Sequence, residues 1–106
     1  MTRPGLLEPA TIDEWLVLHP HWRLEESHLV RELATVDYAS SVRLLASQVP
    51  LADGLDHHPM VELGYRRVRF ELWTHDRRGL TSLDLAYAEG LDEIITRDFL
   101  SVVTSS

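Results

Sequence analysis

Two of the six histidines in this 106-residue chain are adjacent, His57 and His58 in the stretch GLDHHPM. An imidazole has a reference pKa near ~6.5 and exchanges protons at cellular pH, so the pair suits general acid–base catalysis. The chain has neither cysteine nor lysine. Thiolate catalysis, disulfides and lysine Schiff-base chemistry are therefore excluded.

The same histidine pair has two other interpretations. Adjacent side chains in extended backbone face opposite ways, so His57 and His58 could bind one zinc ion only with His75, a carboxylate and a bent backbone. A His-His-Pro sequence alone is also typical of a loop with exposed imidazoles. Pro59 biases His58 toward extended backbone, which aims the two imidazoles in different directions. That geometry favours two sides of one substrate over a single metal ion.

The three histidines in the first third of the chain are weaker candidates for a functional site. His19 and His21 in HPHW are two residues apart, a spacing compatible with metal ligands and also with a solvated loop at a helix exit. His28 falls in a predicted turn and is expected at the surface.

The first predicted helix runs from Thr11 to about Leu18. Thr11 and Glu14 have the spacing of a capping box, and Pro20 stops the helix.

Two further helices follow. The second is amphipathic and ends or kinks near Val49, because Pro50 lacks an N–H and clashes with the preceding turn. Its apolar stripe is formed by Tyr38, Val42, Leu45 and Val49. The third begins with another capping spacing, from Thr81 to Asp84.

Alternating apolar and polar residues predict two hairpins, one turning at residues 25–28 and one near residues 64–67. In the last strand, the side chains divide between two faces. One face carries Val68, Phe70, Leu72 and Thr74, and the other carries Arg69, Glu71, Trp73 and His75.

The order helix, strand, strand, helix, strand, strand, helix predicts an α+β fold, with a four-stranded antiparallel sheet and helices on one face. This single domain should cover residues 11–96, with a loose segment at 1–10 and a tail at 97–106. The net charge is −7 and the arginines form no stripe, so nucleic acid is not an expected ligand. No stretch approaches the roughly 20 apolar residues of a membrane span, and we expect a cytoplasmic protein.

The residues between 53 and 84 together carry a more specific signal. Asp53 precedes His57-His58-Pro59 by three intervening residues; Tyr65, His75 and Asp84 follow at intervals of five, nine and eight residues. This pattern and the stretch THDRRGLTSLD resemble the pterin-4a-carbinolamine dehydratase family, also called 4a-hydroxytetrahydrobiopterin dehydratases. The resemblance covers about residues 11–96.

The resemblance implies an enzyme that removes water from a 4a-hydroxytetrahydropterin to give quinonoid dihydropterin, with no metal and no organic cofactor. It assigns catalysis to four residues, with Asp84 orienting or polarising an imidazole: His57, His58, His75 and Asp84. Its substrate-binding residues are Asp53, Pro59, Tyr65 and Thr74. It further implies a homodimer or homotetramer, and an aromatic amino acid hydroxylase as a pathway partner.

The family pattern also leaves a second class of function open. Some relatives of this fold are assembly or dimerisation modules, so a catalytically weak, dehydratase-like binding module is the alternative. Two residues depart from the family, since Pro50 interrupts a helix that is usually continuous and Val61 replaces an aromatic residue found in some members.

Overall fold

The computed structural model describes residues 4–105 and confirms the α+β class. Residues 1–3 of the predicted N-terminal segment lie outside this range. The helices are α1 (Pro9–Leu18), α2 (Tyr38–Ser47), α3 (Val49–Leu55) and α4 (Ser82–Ile94). The strands are β1 (Arg23–Glu25), β2 (His28–Thr35), β3 (Met60–Gly64), β4 (Arg67–Leu72) and β5 (Val103–Ser105). A 3₁₀ turn, His75–Arg77, follows β4, and a π-helical turn, Ile95–Phe99, extends α4.

The four predicted strands form an antiparallel sheet in the order β1-β2-β4-β3. The sheet also contains β5, a short fifth strand in the segment predicted as a tail. It pairs with β2 through Ala34↔Ser105 and Thr35↔Val103. This pairing ties the end of the chain to the central strand of the sheet.

One face of the sheet is buried beneath the helices. As predicted, Val68, Phe70 and Leu72 of β4 point into the core, where each is fully buried. The core also contains Leu29 and Leu33 of β2. The β4 side chains that face the core and those that face outward therefore alternate as the sequence indicated.

The start of α1 differs from the prediction. The helix begins at Pro9, and its N-cap residue, Glu8, makes no side-chain capping bond. Proline is favoured in the first turn because its φ is preset and its missing N–H would have no helical partner. The predicted capping box between Thr11 and Glu14 is therefore wrong, since both residues lie inside the helix.

The predicted interruption near Pro50 is confirmed. Helix α2 ends at Ser47 and α3 starts at Val49, with Gln48 between them and Pro50 in the first turn of α3. A proline is tolerated there for the same reason as in α1.

The apolar stripe of α2 faces outward, contrary to what an amphipathic surface helix normally does. The side chains of Tyr38, Val42 and Val49 are exposed. The buried face of α2 instead carries Ser40, Ser41, Leu44 and, just after the helix, Gln48. Its polar groups have partners: the Ser41 and Thr35 hydroxyls lie 2.7 Å apart, and the Tyr87 hydroxyl donates to Gln48 Oε1 at 2.7 Å.

Within residues 4–105, no helix is both long and apolar enough to cross a bilayer.

Candidate active site

The centre of the site is a buried pair, His57 and Asp84. The left-handed backbone of Asp56 ends α3, and the His57 N–H returns to the Ala52 carbonyl at 3.0 Å. This turn directs the imidazole inward, where His57 Nε2 lies 2.6 Å from Asp84 Oδ1. With Nε2 donating to the carboxylate, Nδ1 is the nitrogen left for a substrate.

The carboxylate of Asp84 is fixed by the start of α4. Its Oδ2 accepts hydrogen bonds from the Thr81 N–H at 2.9 Å and the Thr74 hydroxyl at 2.8 Å. The Thr81 hydroxyl accepts from the Leu83 N–H at 3.2 Å, which completes the predicted capping box. Asp84 is therefore fully buried and oriented through both oxygens before any ligand arrives.

The helix that leads into the histidine pair packs closely on the helix that carries Asp84. A Cβ built on Gly90 of α4 would lie only 2.7 Å from Leu51 Cδ1 of α3. Glycine is the residue that allows this approach without displacing Leu51. The Tyr87 hydroxyl of α4 also donates to Gln48, the residue just before α3. Burial raises the pKa of Tyr87, which keeps its hydroxyl a neutral donor.

His58 turns away from its neighbour, as the influence of Pro59 predicted. Its Nε2 lies 2.8 Å from Asp53 Oδ1, and both side chains are exposed. Two adjacent imidazoles thus each pair with an aspartate, one inside the protein and the other at its surface.

His75 enters the cleft of His57 and His58 from the end of β4. It begins the 3₁₀ turn after β4, and its ring stacks on Trp73 with centroids 4.3 Å apart. His57, His58 and His75 all line one open cleft of about 250 Å³. The complete lining is Asp56, His57, His58, Thr74, His75 and Asp76.

The structure brings together most of the predicted site residues but not all of them. Asp53 and Pro59 lie next to the cleft without lining it. Tyr65 is in the β3–β4 turn, at the opposite end of the hairpin from His75, with its ring centroid 6.5 Å from that of Tyr38. Within a single chain, Tyr65 is therefore outside the cleft, because the five-residue strand β3 separates it from the histidine pair.

His28 differs from the sequence prediction. It is half-buried at the start of β2, stacked on Trp73, and its Nδ1 lies 2.5 Å from Glu71 Oε2. That hydrogen bond is the largest cause that lowers the pKa of Glu71, followed by the bond from Arg69. The alternation of side chains predicts Trp73 and His75 on one face. The stacking of His28 on Trp73 depends on the pairing of β2 with β4, which the sequence does not show.

The metal interpretation of HPHW receives no support from the geometry. The His19 ring stacks on Trp15, and its Nδ1 lies 2.7 Å from the Trp15 carbonyl oxygen. Among residues 4–105, no three histidine or carboxylate side chains are grouped so that they could hold a metal ion.

Cleft volume alone does not select the site. A mainly apolar cleft of about 250 Å³ lies beside Leu6, Leu7 and Ile12, and a larger one of about 420 Å³ lies beside Arg31 and Asp92. Neither is lined by a predicted catalytic or substrate-binding residue. The convergence of three imidazoles distinguishes the cleft at His57.

Comparison with known proteins agrees with this fold and shows the family. The sequence model of the family described as pterin 4 alpha carbinolamine dehydratase matches residues 5–94. A protein of Metallosphaera sedula, provisionally named pterin-4-alpha-carbinolamine dehydratase, is 46% identical over 88 residues, covering 83% of this chain and 92% of its own. A protein of Chloroflexus aurantiacus with the same provisional name is 37% identical over 89 residues, covering 84% and 96%. The chain belongs to the pterin 4 alpha carbinolamine dehydratase family.

Two solved structures share the fold. The crystal structure of a transcriptional coactivator/pterin dehydratase from Brucella melitensis aligns with a TM-score of 0.80 at 27% identity, covering 85% of this chain and 98% of that one. A pterin dehydratase-like RuBisCO assembly factor of the alpha-carboxysome aligns with a TM-score of 0.57 at 20% identity, covering 69% and 84%. The second likeness shows the fold alone.

Proposed function

We propose that this chain is a hydro-lyase that dehydrates a 4a-hydroxytetrahydropterin to quinonoid dihydropterin. The observation that carries the proposal is the meeting of His57, His58 and His75 in one cleft, with His57 held by a buried carboxylate. Family membership supplies the substrate class, and the cleft supplies groups that can exchange protons with it.

The reaction requires two proton transfers and no redox change. The C4a–O bond breaks as the departing hydroxyl receives a proton and leaves as water. The neighbouring ring nitrogen loses its proton to a base, and its electron pair forms the new C=N double bond. Each positioned imidazole typically contributes ~10²–10⁴-fold to such a step.

The arrangement of the imidazoles suits a flat ring that must be protonated and deprotonated at neighbouring atoms. His57 projects from the end of α3, and His75 from the turn after β4. Asp84 holds His57 in one orientation, because the imidazole Nε2 donates to its buried carboxylate at 2.6 Å. His58 presents its imidazole at the exposed rim. Three further residues hold these groups around the pterin ring. Asp53 bonds to His58, Pro59 restricts the backbone of His58, and Thr74 donates to Asp84.

We also propose that the protein acts as a homodimer or homotetramer. Helix α2 exposes the apolar side chains of Tyr38 and Val42, the first residue of α3 exposes that of Val49, and β3 is an edge strand of the sheet. Exposed apolar patches and free strand edges are the surfaces that subunits usually cover. An aromatic amino acid hydroxylase would supply the substrate in the same cytoplasmic compartment.

A direct assay of 4a-hydroxytetrahydropterin dehydration tests the function, after subtraction of the uncatalysed rate. We expect His57→Ala or His75→Ala to lower the catalysed rate at least ~10-fold while circular dichroism shows a folded protein. His21→Ala is the matched control, because His21 is exposed and outside the cleft. Wild-type rates in both cleft variants would contradict the proposed site.

A pterin-binding measurement beside the dehydration assay separates the enzyme from a binding or assembly module. Tight pterin binding without catalysed dehydration would support a binding module, and absence of both would leave a scaffold. A scaffold has no physical requirement for three imidazoles converging on one cleft, which is why the geometry favours the enzyme.

A further inference from the structure

The three cleft imidazoles are held in different ways. Asp84 and Asp53 each hold a histidine through a hydrogen bond to Nε2. Within residues 4–105, the His75 side chain makes no hydrogen bond, and its ring stacks on Trp73 at an interplanar angle of 9°. The orientation of His75 therefore depends on an indole face.

The stack continues beyond Trp73. The His28 ring lies 4.1 Å from the Trp73 ring centroid, at an interplanar angle of 6°. Two imidazoles stacked this closely on one indole must occupy its opposite faces. Trp73 is therefore enclosed between His28 and His75, with little freedom to rotate.

The far end of the stack is anchored to the outer face of the sheet. His28 Nδ1 bonds to Glu71 Oε2 at 2.5 Å, and Glu71 Oε1 accepts from Arg69 Nη1 at 2.8 Å. Arg69 also donates through Nη2 to Glu25 Oε1 at 3.0 Å. A continuous set of contacts thus leads from the charged face of the sheet to the imidazole in the cleft.

We infer that Trp73 and His28 are positioning residues for His75, with Trp73 setting the plane of its ring and His28 holding the indole in place. This inference rests on the proposed function, because it assigns His75 to proton transfer in the cleft. An imidazole on an exposed turn, with no carboxylate to orient it, would otherwise sample several rotamers, and few of them would face the substrate correctly.

The first test replaces the indole. We expect Trp73→Leu to lower kcat about 10-fold with a change in KM below about 2-fold, because positioning is lost while the cleft remains. Trp73→Phe should recover most of the rate, since a smaller aromatic face is retained. His28→Ala should lower kcat about 3-fold. His28→Ala also keeps the inference testable if Trp73→Leu fails to fold.

A second stack in the same molecule provides the control. His19 lies on Trp15 with centroids 3.9 Å apart and an interplanar angle of 13°, outside the cleft. His19→Ala should keep the wild-type kcat even if it lowers the melting temperature. A loss of kcat equal to that of His28→Ala would show that any stacked histidine matters only for stability, and would overturn the inference.

A spectroscopic readout separates failure of this inference from failure of the proposed function. In the ligand-free protein, protonation of His75 should change the fluorescence of Trp73. The fluorescence of Trp73 is obtained as the difference between wild type and Trp73→Phe. Its change with pH should be smaller when the same difference is measured in a His75→Ala background. If the wild type lacks dehydratase activity but this coupling is present, the proposed function fails, and only the orientation of the His75 ring by Trp73 stands. If the wild type is active but Trp73→Leu keeps its kcat, or if the coupling is absent, the positioning fails.

Discussion

Three histidine–carboxylate pairs in this molecule have similar geometry and very different surroundings. The nitrogen–oxygen distances are 2.6 Å in His57–Asp84, 2.5 Å in His28–Glu71 and 2.8 Å in His58–Asp53. The exposed fractions of the two side chains are 5% and 0%, 26% and 21%, and 57% and 66%, in the same order. Because water screens charge and competes for hydrogen bonds, we expect the energetic and functional weight of the pairs to follow burial and not distance.

The most deeply buried pair should give the largest effect. Asp84→Asn should lower kcat by ~10²–10⁴-fold, because an amide that donates to His57 Nε2 forces the imidazole into the other tautomer. We also expect the free energy of unfolding to fall by about 2 kcal/mol, because bonds to a buried charge at the start of α4 are weakened. Dehydration kinetics and urea unfolding of the same variant measure the two effects. Wild-type kcat in Asp84→Asn would contradict the ranking by burial.

The half-buried pair should give an intermediate effect with a defined pH dependence. The bond from His28 and then that from Arg69 hold the pKa of Glu71 below its usual 4.5. A lowered pKa in the folded state means that ionised Glu71 contributes stability above pH 4.5, and that this contribution is lost as the pH falls through the folded-state value. We expect Glu71→Gln to cost about 1 kcal/mol at pH 7 and progressively less below pH 4.5, as measured by urea unfolding.

Glu62→Gln is the matched control for that experiment. Glu62 is exposed on β3, and its carboxylate is 4.0 Å from Arg69 Nη1. Its substitution should change stability by less than about 0.5 kcal/mol. An equal cost for both variants would mean that the bond to His28 adds nothing.

The exposed pair should give the smallest effect. Asp53→Asn should change kcat/KM by no more than about 3-fold and stability by less than about 0.5 kcal/mol. Because the charges are in water, the difference from wild type should shrink further when the salt concentration rises from 0.05 M to about 0.5 M, where screening acts over a few ångströms. A loss comparable to that of Asp84→Asn would show that His58 needs its carboxylate although both side chains are exposed.

The sequence predicted several features that depend on local spacing, although the capping box at Thr11 and Glu14 was wrong. Thr81 and Asp84 indicated a helix start, Pro50 indicated an interruption, and the alternation after Arg67 indicated which side chains of β4 enter the core. The family pattern selected His57, His58, His75 and Asp84; the three histidines line one cleft, and Asp84 lies against His57. The helix start, the interruption and the alternation are confirmed because each depends on neighbours within a few positions.

Other features depend on tertiary contacts that the sequence does not contain. The stripe from Tyr38 to Val49 has helical spacing, but periodicity does not distinguish a face buried in the same chain from one exposed for another. The contact between His28 and Trp73 requires the pairing of Leu29 with Leu72, which places their outer neighbours side by side. Tyr65 matched the motif in spacing, yet the length of β3 carries it away from the cleft.

The double role of Asp84 limits what sequence comparison can reveal about activity. The same carboxylate closes the first turn of α4 and holds His57, so its loss would damage the fold even in a protein that catalyses nothing. Related chains that have lost activity would therefore still keep this aspartate. His57 makes one of the three hydrogen bonds to that carboxylate and takes no part in the helix cap, so it is the position at which an active and an inactive member of the family should be told apart.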